Sequence, residues 1–147
     1  MKRIARSAIV EHAALEVYAL VESIEAYPEF LPWCRAARVR ERHAGRTLAT
    51  LAVGLKGARY EFTTENANRP GETIDMRLVA GPFRHFAAHW RFVPLAAQAS
   101  RVEFAMEYEF SSGLVAKVLA PVFAAIADTM VDAFKRRADA VYGQVAR

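Results

Sequence analysis

The sequence has little of what disulfide-linked, secreted and membrane-spanning proteins need. Cys34 is the only cysteine among 147 residues, so the chain cannot form an internal disulfide framework. The longest run without a charged residue, Val118–Ala127, is about half of the roughly 20 residues that cross a bilayer. Met1-Lys2-Arg3 is basic, but Glu11 interrupts the stretch where the apolar part of a signal peptide would lie. We therefore expect a soluble cytoplasmic protein.

Catalytic and metal-binding motifs are also missing. Gly54 and Gly57 fit neither a dinucleotide-binding loop nor a Walker loop, and no serine lies in a nucleophile elbow. His85 and His89 have a metal-ligand spacing only for a helix, whereas they occupy a strand-like stretch and fall on its polar face. Cys34 has no recognisable catalytic neighbour and is predicted to be a small buried residue. The sequence thus predicts no catalytic residue, no metal and no required cofactor.

The charge is modestly basic, at +4. This favours anionic partners such as RNA or an acidic membrane surface, but it is weaker than in a dedicated nucleic-acid domain, and we expect no DNA binding. Two basic groups are candidates for partner contacts. Alternation places Arg38, Arg40 and Arg42 on one solvated face of a strand over 35–42. The second group lies near the end of the last helix: Lys135, Arg136 and Arg137.

Periodicity predicts one α+β domain over residues 1–147. Lys2 to Val10 reads as a strand and Ala13 to Ile24 as a helix with one apolar face. About six strands with alternating polar and apolar residues follow, with a break at Pro94. From Ser112 the period changes to 3.6, which predicts one long helix to Tyr142 with a kink caused by Pro121. The resulting antiparallel sheet needs this helix to cover its apolar face.

The apolar face of the sheet is unusually aromatic. A strongly curved sheet around a single helix does not close-pack easily, so an apolar cavity between them is expected. The same side chains would form the core if the space is filled and the lining if it is hollow. The candidates are Tyr60, Phe62, Met76, Trp90, Phe92, Phe104, Met106 and Tyr108, with Phe123, Ala127 and Met130 opposite.

The segment Tyr27–Cys34 (YPEFLPWC) is the most distinctive stretch of the chain. Pro28 and Pro32 disfavour regular structure, so the segment is expected to be a stiff loop or a short helical turn. Its large apolar side chains would either fill part of the core or line the mouth of a cavity.

Three motifs make the chain resemble the START-like (helix-grip, Bet v 1-like) superfamily, in its polyketide cyclase/dehydrase-like branch. They are Tyr27–Cys34, then Gly81–Phe86 with Trp90 and Phe92, and finally 134–138 with 141–143. The resemblance implies a curved antiparallel sheet of six to seven strands gripping the C-terminal helix around a lipophilic tunnel. It also implies binding rather than catalysis. Phe30, Leu31 and Trp33 would contact the ligand at the entrance.

The resemblance leaves three functions open. The leading one is binding of a prenylated quinone (ubiquinone), in support of respiration, with transient contact to a membrane surface that would place the protein at the periphery of the inner membrane. The second is association with the large ribosomal subunit, as a toxin that inhibits translation initiation. The third is an aromatic polyketide cyclase, which would need polar groups that the inward positions do not supply.

Overall fold

The computed structural model describes residues 1–55, 57 and 59–143. A first strand, β1 (Lys2–Val10), leads to α1 (Ala14–Glu22) and a 3-10 helix (Ile24–Glu29). The remaining elements are β2 (Cys34–His43), β3 (Arg46–Val53), β4 (Tyr60–Arg69), β5 (Thr73–Ala80), β6 (Phe83–Ala96), β7 (Ala99–Phe110) and α2 (Gly113–Tyr142). The predicted order of elements is confirmed. Two boundaries were wrong: the first helix ends at Glu22, and β6 continues through Pro94.

The seven strands form one antiparallel sheet in the order β1-β7-β6-β5-β4-β3-β2. The first strand therefore pairs with the last, with Lys2 opposite Tyr108 and Val10 opposite Ser100. Strands β1 and β2 are the two edges. This curved sheet and its single long helix give the predicted helix-grip architecture.

Helix α2 supplies the layer that covers the sheet. The Ser112 side chain accepts a hydrogen bond from the Val115 amide at 3.2 Å and caps the first turn, as predicted. The helix continues across Pro121 as a single element. By length and composition alone α2 could also cross a bilayer, but its apolar stripe packs in the core. The buried positions of that stripe are Leu119, Val122, Phe123, Ile126, Ala127, Met130, Val131, Ala133, Phe134 and Ala138.

A β-bulge in β2 overturns the prediction that its three arginines share a face. Val39 is opposite Ala49 and Glu41 is opposite Leu48, so Arg40 is an extra residue that reverses the alternation. Arg38 lies opposite Thr50 on the outer face. Arg42 lies opposite Thr47 on the inner face instead, beside α1.

A second irregularity adds an aromatic ring to the core. Phe83 is opposite Phe110 and Phe86 is opposite Tyr108, with a register shift between Phe83 and His85. Both phenylalanines are therefore buried, although strict alternation would place Phe83 on the outer face with His85.

Candidate functional site

The space between sheet and helix is almost filled. In the part of the chain that the structure describes, a cavity of about 30 Å³ remains, and a smaller one of about 10 Å³ lies beside α1 and the 3-10 helix. The lining of the larger cavity is Trp33, Leu51, Phe62, Met76, Phe86, Ala88, Phe104, Met106, Phe123, Ile126 and Met130. A pocket that holds a drug-sized ligand has about 300–1,000 Å³. The predicted lipophilic tunnel is therefore wrong for this conformation, because inward rings from β4, β6, β7 and α2 meet and fill the space.

The lining is nevertheless deformable at three positions, two on the sheet and one on α2. Met76, Met106 and Met130 all border this cavity, and the only other methionine of the chain is Met1. Methionine is unbranched, with three rotatable bonds and a polarizable sulfur, so it adapts to irregular volumes at little cost. Movement of these three side chains would enlarge the cavity without displacing the backbone.

An open groove of about 700 Å³ lies beside this cavity. It runs between β1, the end of β7 and the first half of α2. The helix contributes small residues at Gly113, Ala116, Ala120, Ala124 and Ala127. Tyr108 and Phe110 border the groove on the sheet side, and Lys2, Arg6 and Arg84 stand among the other lining residues. The groove is thus large enough for a ligand, with an apolar helix wall. The charged side chains around it are of both signs, since Arg6 pairs with Asp128 at 3.6 Å and Arg84 pairs with Glu109 at 3.4 Å.

Phe123 separates the groove from the cavity. The centre of its ring lies 5.0 Å from the ring centre of Tyr108 and 5.5 Å from that of Phe110, and these two residues border the groove. Phe123 itself borders the cavity, where Phe62 is 6.3 Å away. The Tyr108 hydroxyl is protonated and able to donate at neutral pH, as any phenol is, and burial raises its pKa further. A ligand-sized groove and the adaptable interior are therefore separated by Phe123 on the cavity side and by Tyr108 and Phe110 on the groove side.

The fourteen predicted ligand contacts divide into three groups. Seven line the cavity: Trp33, Phe62, Met76, Phe104, Met106, Phe123 and Met130. Tyr108 and Ala127 line the groove. The remaining five belong to the packed core or its margin: Phe30, Leu31, Tyr60, Trp90 and Phe92. The sequence prediction missed four residues of the cavity lining, although their apolar spacing was visible in the chain: Leu51, Phe86, Ala88 and Ile126.

The Tyr27–Cys34 segment fills part of the core. Pro28 and Pro32 are exposed, whereas Tyr27, Leu31 and Trp33 are buried, and the Tyr27 hydroxyl donates to the Val21 carbonyl. Of the two alternatives from sequence, the structure shows a core-filling segment, since an entrance would leave these side chains accessible.

Helix α2 holds this segment in place. Arg137 donates a hydrogen bond to Glu29 at 3.0 Å, and its guanidinium carbon lies 4.8 Å from the centre of the Phe30 ring. Phe30 in turn packs edge-on against Phe134 at 5.1 Å. Arg137, predicted as a partner contact, is therefore engaged within the chain.

Cys34 fits the prediction of a buried structural residue. Burial raises the pKa of its thiol to about 11, so the neutral form prevails at physiological pH. The thiolate that nucleophilic catalysis requires is correspondingly scarce.

Other basic candidates differ in how they are paired. Arg42 forms salt bridges to Glu22 at 2.8 Å and Glu25 at 2.9 Å, and it lowers the pKa of the Glu25 carboxyl. Four exposed side chains form no salt bridge within the part of the chain that the structure describes: Arg38, Arg40, Lys135 and Arg136. Of the predicted partner contacts, these four keep their charge available to an external anion, although Arg40 also donates a hydrogen bond to the Thr50 hydroxyl at 2.7 Å.

The histidines of β6 lie on the outer face, as predicted. His85 is 3.0 Å from Glu107, and His89 contacts Asp75. A depression of about 550 Å³ on this face has alanines on its floor, and its walls include these already paired side chains. Among the described residues no group of three or more His, Cys, Asp or Glu side chains could hold a metal ion.

A buried polar cluster at the far end of α2 was not predicted. His12 is 3% exposed and lies 2.9 Å from Asp139, while Ser100 donates to the His12 carbonyl at 3.0 Å. Tyr142 donates to the Glu16 carbonyl at 2.9 Å. These bonds join the β1–α1 connection to the end of α2. Partners 88 to 127 residues apart leave no local sequence signal.

Comparison with known proteins adds a family and three relatives of different kinds. A family model described as "Polyketide cyclase / dehydrase and lipid transport" matches residues 10–135. The chain is 40% identical over 144 residues to "Ribosome association toxin RatA" of Vibrio cholerae serotype O1, covering 98% of this chain and 100% of that protein. It is 27% identical over 133 residues to "Coenzyme Q-binding protein COQ10 homolog B, mitochondrial" of Xenopus laevis, covering 88% and 54%.

Among solved structures, the Zhui aromatase/cyclase from Streptomyces sp. R1128 aligns with a TM-score of 0.81. The alignment covers 98% of this chain and 99% of that one, at 16% sequence identity. At this identity the likeness shows the helix-grip fold and carries no enzymatic activity with it.

Proposed function

Because the chain belongs to the polyketide cyclase/dehydrase and lipid transport family, we propose that it binds a hydrophobic ligand, a prenylated quinone such as ubiquinone, without chemically altering it. The observation that carries this proposal is the groove of about 700 Å³ beside a cavity lined by three methionines. The name of the Xenopus relative supports the choice of quinone.

Binding would be a partition of the ligand out of water or lipid. Each buried methylene of the prenyl tail contributes about 0.8 kcal/mol. The small residues of α2 leave room for the tail along the groove, and the protonated Tyr108 hydroxyl can donate to a ring oxygen. Displacement of Phe123 would then join the groove to the cavity.

Exposed apolar side chains near the groove support ligand exchange at a membrane surface. Leu114 is 75% exposed in the first turn of α2, and Met1, which borders the groove, is 63% exposed. Lys2 borders the groove as well, and Lys117 is exposed one helical turn after Leu114. Apolar tips flanked by lysines suit an anionic bilayer.

The proposal is tested by extracting lipids from protein purified from its own host and identifying them by mass spectrometry. We expect a prenylated quinone at a substantial fraction of one molecule per chain. A titration of a soluble short-tailed quinone should shift NMR signals of residues along the groove. Absence of quinone from the extract, together with an unshifted spectrum, would overturn the proposal.

A second candidate is association with the large ribosomal subunit, favoured by the Vibrio cholerae relative named as a ribosome association toxin. Arg38 and Arg40 on the edge strand β2 are exposed without carboxylate partners among the described residues. They could contact RNA phosphates, and each such contact would steepen the salt dependence of binding.

Co-sedimentation with purified large subunits tests this candidate. Replacing both Arg38 and Arg40 by Gln should weaken binding and flatten its dependence on salt by about one to two units of log–log slope. Arg42→Gln is the control, since its charge is already paired with Glu22 and Glu25. Equal binding by all variants, or no co-sedimentation at low salt, would contradict the hypothesis.

A further inference from the structure

A smaller cavity lies beside the methionine-lined one, and part of its surface is polar. Asn66 on β4 borders it and is only 3% exposed. The Asn66 Oδ1 accepts a hydrogen bond from the Thr64 hydroxyl at 2.9 Å, whereas its Nδ2 donates to no group among the described residues. The Trp33 nitrogen is the only side-chain nitrogen or oxygen of that part of the chain that is both fully enclosed and unpaired, so the Asn66 Nδ2 still borders open space. Since the Asn66 side chain is almost wholly buried, that space is the small cavity.

The size and the charges of the small cavity restrict what can occupy it. Its volume is about 10 Å³, close to the room that one water molecule or one oxygen atom requires. Its charged lining residue, Glu22, pairs with Arg42 at 2.8 Å, and the hydroxyl of Tyr27 already donates to the Val21 carbonyl. An anion would be repelled by the Glu22 carboxylate, whereas a neutral carbonyl oxygen needs only the amide donor. The cavity therefore suits the oxygen of an uncharged molecule.

Two side chains separate the small cavity from the methionine-lined one. Leu51 and Met76 border both cavities, and Met76 on β5 lies directly opposite Asn66 on β4. Methionine has three rotatable bonds, so Met76 can turn aside at little cost. A planar ring in the enlarged methionine-lined cavity would then have the Asn66 amide within reach of an oxygen on its edge.

We propose that the small cavity is an oxygen-sized subsite, in which the Asn66 Nδ2–H group donates a hydrogen bond to a ring carbonyl of a quinone held in the methionine-lined cavity. This inference rests on the proposed binding of a prenylated quinone. It adds a specificity residue and a direction: the ring enters first, past Tyr108 and Phe123, and the prenyl tail follows along the groove. A carbonyl oxygen that displaces water from the subsite replaces its hydrogen bond, whereas a hydrocarbon of the same shape does not.

Side-chain amide signals in NMR spectra report this contact directly. The chain has two asparagines and two glutamines, so ¹⁵N-labelled protein gives four side-chain NH₂ groups, and the pair of signals that disappears in Asn66→Leu belongs to Asn66. The probes are a benzoquinone with two isoprenoid units and the corresponding prenylated benzene, which lacks the ring oxygens. We expect the quinone to move an Asn66 signal downfield and the hydrocarbon to move it much less. The signals of Gln98, which is exposed, provide the internal reference.

Asn66→Leu keeps a branched side chain of similar size and removes the donor. We expect it to weaken quinone binding about three- to tenfold, as for the loss of one hydrogen bond, and to leave hydrocarbon binding within about twofold. Thr64→Val, which keeps the shape of the side chain and frees the Asn66 amide to turn, should also weaken quinone binding selectively. Thr47→Val is the matched control, because Thr47 is buried on the neighbouring strand β3 and borders neither cavity. It should not separate the two ligands.

The outcomes distinguish this inference from the function on which it rests. If both ligands bind the unmodified protein, and Asn66→Leu and Thr64→Val change neither affinity or both alike, the subsite is wrong although the protein binds lipophiles. If neither ligand binds, the proposed function fails, and the assignment of Asn66 fails with it. Asn66 signals that stay in place with the quinone, or that shift equally with both ligands, would overturn the subsite in the unmodified protein, whatever the stability of the variants.

Discussion

Phe123→Ala should destabilise the protein and improve its binding of a quinone at the same time. Phe123 is 1% exposed and its ring lies within 6.5 Å of five other aromatic rings. Truncation of a buried Phe typically costs about 3–5 kcal/mol. Five aromatic neighbours place this position near the upper end, since each such pair adds about 0.5–1.5 kcal/mol beyond burial.

The same truncation would remove the cavity-side ring of the barrier between groove and cavity, and so lower the cost of opening a path between them. For a chain near this size 1 kcal/mol corresponds to roughly 3 °C, so the melting temperature should fall by about 12–15 °C. Quinone at a hundredfold excess over its Kd restores about 2.7 kcal/mol, or roughly 8 °C. The unmodified protein, in which Phe123 must first be displaced, should show a smaller ligand-induced rise at the same concentration.

Differential scanning fluorimetry with and without a benzoquinone that carries two isoprenoid units provides the measurement. Phe134→Ala is the matched control, because Phe134 is also 1% exposed on α2 but borders neither the groove nor the cavity. It should lose a similar amount of stability without gaining affinity. An equal quinone effect in the unmodified protein and the Phe123→Ala variant would refute the reasoning that Phe123 controls access.

Three further predictions concern the scaffold. Gly81→Ala should lower the free energy of unfolding in urea by at least about 2 kcal/mol, since φ is +151° and an added Cβ would lie 2.5 Å from the Phe62 Cβ. Gly57→Ala is the control: φ is +85° there, but the added Cβ meets open space, so the loss should be about 1 kcal/mol. Equal losses for the two variants would contradict this prediction. Arg137→Gln should speed hydrogen exchange of the backbone amides in residues 27–34, while the free energy of global unfolding falls by less than about 1 kcal/mol. Arg136→Gln is the control and should leave this exchange unchanged. Unchanged exchange in Arg137→Gln would show that Arg137 does not hold the segment. Cys34 should resist thiol reagents at pH 8 until urea unfolds the protein, and rapid labelling of the native protein would show that the thiol is accessible. The free energy of unfolding should decline as pH rises from 9 towards 11, because the thiol ionises at a lower pH in the unfolded chain than in the folded one.

Local pattern was sufficient for the order of the elements and for most of the inward faces. Alternation in β7 and the 3.6-residue period of α2 reflect which side of each element avoids water, and this is set residue by residue. The outward placement of His85 and His89 followed from the same rule and was confirmed. The cap at Ser112 is likewise local, since its bond spans three residues.

The rule that inward and outward residues alternate along a strand failed at two places, in β2 and in β6, where the register shifts. Alternation assumes one residue opposite one residue, and the additional residue at Arg40 turned Arg42 inward to Glu22 and Glu25. Near Phe83 the register shift added a ring to the core. Bulges depend on how two strands pair across the sheet, and a single strand does not encode this.

The sequence by itself determined the family, the helix-grip architecture and the apolar character of the space between sheet and helix. Whether that space is hollow was decided only by the tertiary structure, because it depends on the summed volume of side chains from β4, β6, β7 and α2 against the curvature of the sheet. The filled core, the groove beside it and the position of Phe123 between them arise from that balance. The buried Trp33 indole depends on it as well: its Nε1–H has no acceptor among the described residues, and such partners are known only once distant segments are packed together.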